Sequence, residues 1–162
     1  QDDPRLLLVC VGGGEGKREV QDRIWRGVRN IRSLPYQPLE GIRFSLSAAD
    51  AHVVAIGDGL VGIVHPCKVY GAMAVARPIL YVGPAPSHVS ELLESLKIGW
   101  HVRHGDVEGA VAAIREMVET PVAERLAMGR RAREAIAGDL ARDSLLRRFC
   151  DVLERALPPR PG

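Results

Sequence analysis

Five short apolar runs recur along this chain and alternate with segments of helical period: Leu6–Val11, Ile31–Leu34, Ala51–Ile56, Ile79–Val82 and Ile98–Val102. Four of them are closed at once by glycine or proline. Leu6–Val11, which is continuously apolar, suits a strand buried on both faces, the environment of a parallel sheet. Between the runs, Val20, Ile24 and Val28 make one apolar helical stripe, and Val107, Ala110, Val111, Ile114 and Val118 make another. A short helix is predicted within Pro38–Ala49 and a small-residue helix over Pro66–Ala76. Ser87 and Asp106 are placed to cap the helices that follow them. Thr120-Pro121 restarts a helix that Gly138 ends, and a last amphipathic helix runs from Arg142 to Leu157. The alternation predicts an α/β fold, a Rossmann-like parallel sheet with helices on both faces. Residues 1–157 form that domain, and Pro158–Gly162 is a disordered tail.

A sheet of this kind holds its ligands beyond the carboxyl ends of the strands, so the loops after the strands are where function is sought. The loop Val11-Gly12-Gly13-Gly14-Glu15-Gly16-Lys17 fails the dinucleotide pattern, because Lys17 stands where the third glycine belongs. It fails the phosphate-loop pattern too, with Val11 at the first glycine and Arg18 at the Ser or Thr position. Gly12 and Gly13 serve either a tight turn or contact with a ligand. The loop from Gly57 through Gly59, Leu60, Val61 and Gly62 to Pro66, Cys67 and Lys68 is richer. Its glycines permit close backbone approach, and a helix start carries free N–H groups and about half a unit of positive charge. Lys68 adds a full charge in the first turn. Together these predict a diphosphate cradle, in which Lys68 is the residue most expected to stabilise developing negative charge.

Composition excludes other classes. A hydrophobic share of 46% and a charged share of 26% are not those of a disordered chain, a collagen or a small disulfide scaffold. The net charge is +2, with basic residues spread along the chain, and aromatics are 4%, so no nucleic-acid partner is expected. Cys10, Cys67 and Cys150 form no C-x-x-C pair and read as free thiols of a reducing cytoplasm. His101 and His104 read as surface histidines, Arg130, Arg131 and Arg133 as a solvated face, and no metal site is expected. A core strand begins almost at Gln1, without a preceding Met, so the chain is expected to start inside a domain.

One series of motifs goes further. Gly59-Leu60-Val61-Gly62, Pro66-Cys67-Lys68-Val69-Tyr70-Gly71, Met73-Ala74 and Arg77-Pro78 follow in order. Cys10-Val11-Gly12-Gly13-Gly14, Leu34-Pro35-Tyr36-Gln37, Ala48-Ala49-Asp50, Gly105-Asp106, Met128-Gly129 and Ala132-Arg133 complete the set. The chain resembles the retaining glycosyltransferases of family four (group one), in the bacterial branch that builds exopolysaccharide and O-antigen sugars. The resemblance implies one half of a glycosyltransferase-B fold, the C-terminal donor-binding domain, lacking its first strand-helix unit. It implies transfer of a sugar from a nucleotide-sugar to a glycan or lipid-linked acceptor held by an N-terminal domain. No cofactor or metal is implied, and the setting is the cytoplasm at the inner face of the membrane, with peripheral membrane association of the full-length protein. Gly12, Gly13, Leu34, Tyr36, Gly59, Leu60, Val61, Gly62, Pro66, Cys67 and Lys68 would bind donor, the loop around Leu34 and Tyr36 bordering the nucleobase.

The departures from the pattern are specific. Val61 stands where the branch carries Glu, Cys67 where it carries Ser, and Ala76 where it carries Gly; Ile63 and Gly71 occupy the two positions of the wider family's paired glutamates. A site built around a carboxylate loses discrimination without it. The alternative reading is therefore a catalytically impaired nucleotide-binding or scaffold domain of the same fold. A nucleotide-sugar epimerase fragment is a more distant alternative. The fragment alone is expected to be inactive.

Overall fold

The computed structural model describes residues 3–156. Leu157 and the tail assigned to residues 158–162 lie outside them. Five strands, β1 (Leu8–Val11), β2 (Ile31–Leu34), β3 (His52–Ala55), β4 (Ile79–Val82) and β5 (Gly99–Val102), alternate with seven helices. The helices are α1 (Lys17–Trp25), α2 (Ile42–Ser47), α3 (Lys68–Ala74), α4 (His88–Leu96), α5 (Val107–Glu119), α6 (Val122–Ala137) and α7 (Arg142–Ala156). Every strand pair is parallel, with Leu8 opposite Ile31, His52 opposite Ile79 and Ile79 opposite Gly99. The fold is a Rossmann-like α/β arrangement.

The strands do not form one sheet. β1 pairs with β2, β3 with β4 and β4 with β5, and no ladder joins the two groups among the described residues. β1 and β3 each keep one open edge. The sequence predicts strands from their apolar runs but carries no term for which strand lies beside which.

Burial follows the same division. The first buried residue in the described chain is Val54. From there Val54, Ile56, Val69, Met73, Ile79, Tyr81, Val89, Leu93, Ile98 and Ala132 form one cluster, between one face of the three-stranded sheet and helices α3, α4 and α6. Leu80, Trp100 and Val102 form a second on the opposite face, under Ala110, Ile114 and Met117 of α5 and Met128 of α6. Both faces of β4 are covered, as the interior of a parallel sheet requires, while Val53 and Ala55 of β3 are exposed on the second face. In contrast Leu8, Val9 and Val11 of β1 and Leu34 of β2 are exposed, and α1 has no buried residue. The apolar face of α7, with Leu145, Leu146, Phe149, Val152 and Leu153, is exposed as well.

Local chemistry sets the helix ends. Ser87 accepts from the Ser90 amide at 3.2 Å while Ser90 Oγ accepts from the Ser87 amide at 2.8 Å, a complete capping box for α4. Asp106 accepts from the Gly109 amide at 2.8 Å. Thr120 does not cap α6. Its hydroxyl donates back to the Glu116 carbonyl at 2.6 Å, closing α5, and Pro121 takes the cap position. Arg131, expected on a solvated face, instead donates to the carbonyls of Leu96 at 3.1 Å and Lys97 at 2.6 Å. It satisfies the last carbonyls of α4, where a cation is favoured.

Ala76 takes the left-handed conformation, φ 56°, at the turn between α3 and β4. Without a Cβ, Gly129 lets α6 cross directly over this turn; a Cβ there would overlap the Ala76 carbonyl oxygen. Ala76→Gly removes the strain of an L-residue in that region and should raise the unfolding free energy by about 0.5–1 kcal/mol. Gly129→Ala has only backbone to collide with and should lower it by about 3 kcal/mol. Urea titrations of both variants check the pair. Equal effects of the two would contradict this account of the turn.

Candidate functional site

Each loop singled out in the sequence leaves the carboxyl end of a strand, and the structure gathers the predicted residues into two clusters. In the first, the Gly12 amide donates to the Leu34 carbonyl at 3.1 Å, joining the ends of β1 and β2. The Tyr36 ring then lies over the glycines. A Cβ at Gly12 would stand 3.3 Å from Tyr36 Cε1, and one at Gly13 2.9 Å from Cε2. Gly12 has φ 116°, which an L side chain rarely adopts. Gly12, Gly13, Leu34 and Tyr36 thus form one patch. The Tyr36 ring is 77% exposed and faces solvent as an apolar plate.

The second cluster is the loop after β3. Asp58–Leu60 makes one 3-10 turn, and the Val64 amide donates to the Leu60 carbonyl at 2.9 Å, curling the chain back on itself. Gly62 sits in this curl at φ 79°. The helix starts later than the sequence suggests. Pro66 and Cys67 lie in a turn, with the Val69 amide donating to the Pro66 carbonyl at 3.1 Å, and α3 begins at Lys68. A helix of seven residues has a small macrodipole. The positive charge here is therefore mainly the Lys68 ammonium, which is exposed and takes part in no ion pair among the described residues.

A cavity of about 210 Å³ opens between this loop and the start of α4, lined by Ile56, Val61–Pro66, Tyr81 and Ser87–Val89. Of the predicted residues, Val61, Gly62 and Pro66 line it, whereas Gly59, Leu60, Cys67 and Lys68 do not. Val61 presents an apolar wall where a carboxylate would have offered an acceptor.

Three residues outside the predicted donor-binding set meet beside the cavity, which His65 and His88 line. His65 Nε2 lies 2.7 Å from the Tyr70 hydroxyl, and the same hydroxyl lies 3.1 Å from His88 Nε2. The two imidazoles are 4.7 Å apart, centroid to centroid. Burial pushes the His88 pKa below the ordinary histidine range, and His65 lowers it further, against Glu91. Burial raises the Tyr70 phenol, and the nearby Cys67 adds to this. The available signal was position: both histidines lie on loops leaving the carboxyl ends of strands. Their partnership through Tyr70 is a tertiary fact.

Beneath them Tyr81, 0% exposed, lies 3.0 Å from Ser87 Oγ through its hydroxyl and also donates to the Pro84 carbonyl at 3.3 Å. His101 and His104, read as surface histidines, are exposed and also tie strand ends together. Their Nε2 atoms lie 2.8 Å from the Gly83 carbonyl and 2.7 Å from the Ile56 carbonyl. Among the described residues no group of three or more His, Cys, Asp or Glu could hold a metal ion. No described helix is long and apolar enough to cross a membrane.

The histidines give the fold a pH dependence. His52, bonded to the Leu46 carbonyl at 3.0 Å, has its pKa lowered mainly by burial. A folded value below the unfolded one means that this contribution is complete above about pH 6.5 and is lost as pH falls through the folded value. Unfolding free energy should therefore drop between about pH 7 and pH 5. In His52→Gln, which keeps a donor for Leu46 but does not titrate, part of that drop should vanish. Denaturant midpoints across this range check it, and an unchanged slope in the variant would contradict the assignment.

No family model matches the chain. It is 28% identical over 151 residues to WcaI of Escherichia coli (strain K12), named as a colanic acid biosynthesis glycosyl transferase; the match covers 92% of this chain and 36% of WcaI. It is 32% identical over 82 residues to WbjE of Pseudomonas aeruginosa, named as a glycosyltransferase; here 51% of this chain and 20% of WbjE are covered. The chain thus spans about a third of WcaI, and its similarities support a general glycosyltransferase relationship.

Proposed function

We propose that this chain is the nucleotide-sugar-binding half of a retaining, metal-independent glycosyltransferase of the glycosyltransferase-B type, working in polysaccharide biosynthesis. The observation that carries the reading is the position of the two clusters. Gly12, Gly13, Leu34 and Tyr36 form one, the Val61–Lys68 loop the other, and both lie at the carboxyl ends of parallel strands. This is where such sheets hold nucleotides. The similarity to WcaI along nearly the whole chain supports the same reading.

In this reading Tyr36 offers its exposed ring to the base, and the glycines beneath it keep the ring seated. Gly62 allows the diphosphate to approach the backbone closely. Lys68, the first residue of α3, draws the leaving diphosphate by charge. The sugar lies toward the acceptor, a glycan or lipid-linked chain held by an N-terminal domain. Catalysis is then electrostatic: charge develops on the leaving phosphate, and groups already in place stabilise it. The acceptor half is a separate domain, so the chain by itself binds donor weakly and turns over little. As a soluble domain with a lipid-linked acceptor, it would work in the cytoplasm at the inner membrane face.

One feature favours a second reading. Val61, Ile63 and Val64 make the loop side of the cavity apolar. A nucleotide-binding module that no longer transfers sugar would tolerate this, whereas a transferase must hold the sugar hydroxyls by other groups. Release of nucleoside diphosphate in the presence of an acceptor domain separates the two.

Binding of UDP-, GDP- and ADP-sugars to the chain, followed by ligand-observed NMR, tests the shared part of both readings. Lys68→Ala should weaken binding by about tenfold, the loss of one charge-assisted contact. Gly13→Ala should displace Tyr36 and weaken binding while changing stability by less than about 1 kcal/mol, because the ring is exposed and free to move. Undiminished affinity in both variants would remove the donor-site reading.

A further inference from the structure

The His65–Tyr70–His88 cluster has a proton count that its geometry fixes. The Tyr70 hydroxyl has one hydrogen, and it stands between two Nε2 atoms, at 2.7 Å and 3.1 Å. It can donate to one imidazole and accept from the other, but it cannot donate to both. With both rings neutral, the ring that donates through Nε2–H has a bare lone pair at Nδ1. The ring that accepts at Nε2 carries its hydrogen at Nδ1. The neutral cluster therefore has one Nδ1 donor and one Nδ1 lone pair. One added proton changes this: both Nδ1 atoms become donors while the Tyr70 relay stays intact. A second proton would set two imidazolium rings 4.7 Å apart and leave the phenol hydrogen without an acceptor in the relay.

We propose that His65, Tyr70 and His88 form a one-proton anion receptor at the cavity mouth, which takes up a single proton when the diphosphate of a nucleotide-sugar binds. This rests on the donor-site reading and adds binding residues to it. The two histidines line the cavity side by side, His65 from the loop after β3 and His88 from the start of α4. The other titratable groups at the cluster are Glu91 on α4, Cys67 before α3 and the Tyr81 phenol in the cavity wall. Of these Glu91 is the acidic group, and its carboxylate favours an imidazolium at His88. Burial opposes a proton on His88 in the free chain, and a bound anion opposes that penalty, so proton uptake and anion binding are coupled.

The sign follows from linkage. Binding that takes up a proton strengthens as pH falls, by about tenfold per pH unit for one proton, until the free cluster itself protonates. A nucleotide-sugar is a suitable probe because its diphosphate is esterified at both ends and does not titrate in the neutral range. Proton exchange then comes from the protein.

The test is calorimetric titration of the chain with UDP-glucose, GDP-mannose and ADP-glucose, in buffers of different ionisation heat, from about pH 6.5 to 8.5. For the sugar that binds, the expected result is uptake of about one proton at the upper end, with affinity falling as pH rises. In the doubly substituted His65→Asn, His88→Gln chain, affinity should be lower and independent of pH. Imidazole NMR titrations of the wild-type chain should show one ring rising in pKa on binding. Donor binding without proton uptake, or the same pH slope in the double variant, overturns the receptor while leaving the donor-site reading intact. Failure of all three nucleotide-sugars to bind at any pH overturns both.

Discussion

β4 is the constraint on which the rest of the described structure depends. It alone is hydrogen-bonded along both edges, to β3 and β5, and both its faces are covered. Ile79 and Tyr81 point into one apolar cluster and Leu80 into the other. A strand in this position cannot slip by one residue without turning Leu80 and Tyr81 to the wrong faces. Its register fixes where the carboxyl ends of β3 and β5 fall, and the loops that leave them are held accordingly.

Tyr81 carries that constraint into the site. Its ring belongs to the core, stacked at 5.1 Å on His101, while its hydroxyl reaches Ser87. Ser87 caps α4, and the next residue is His88. Core packing, helix start and cavity wall are thus consecutive links. Gly83 follows two residues after Tyr81, where a Cβ would strike the phenol. The same economy appears at the Ala76 turn, where Gly129 lets α6 close the far end of the sheet.

The two halves of the chain read differently in the sequence for physical reasons. β3, β4 and β5 stand out as apolar runs, and the structure covers the middle strand β4 on both faces. Ser87 and Asp106 were legible as caps because capping is local chemistry, set by a side chain and the amide three residues on. β1 also reads as a buried parallel strand, yet Leu8, Val9 and Val11 lie exposed along an open-edged pair. Apolar composition records what a strand is suited to, and pairing depends on what lies beside it. In the site, glycine and lysine drew attention through residue type and loop position. The histidine–tyrosine relay did not, because 18 residues separate Tyr70 from His88 and only the packing of α3 and α4 into one core cluster brings them together. The sequence places the first turn of α3 at Pro66, whereas the chain turns through Pro66 and Cys67 before the helix begins at Lys68.

The central claim is that donor recognition occupies the carboxyl edge of the parallel strands. Backbone amide NMR during titration with a nucleotide-sugar locates it most directly. The account predicts that shift changes concentrate in residues 12–14, 34–37, 57–68 and 83–89. Changes centred instead on the opposite edge, around residues 75–78 and 97–99 at the amino ends of β4 and β5, would contradict it.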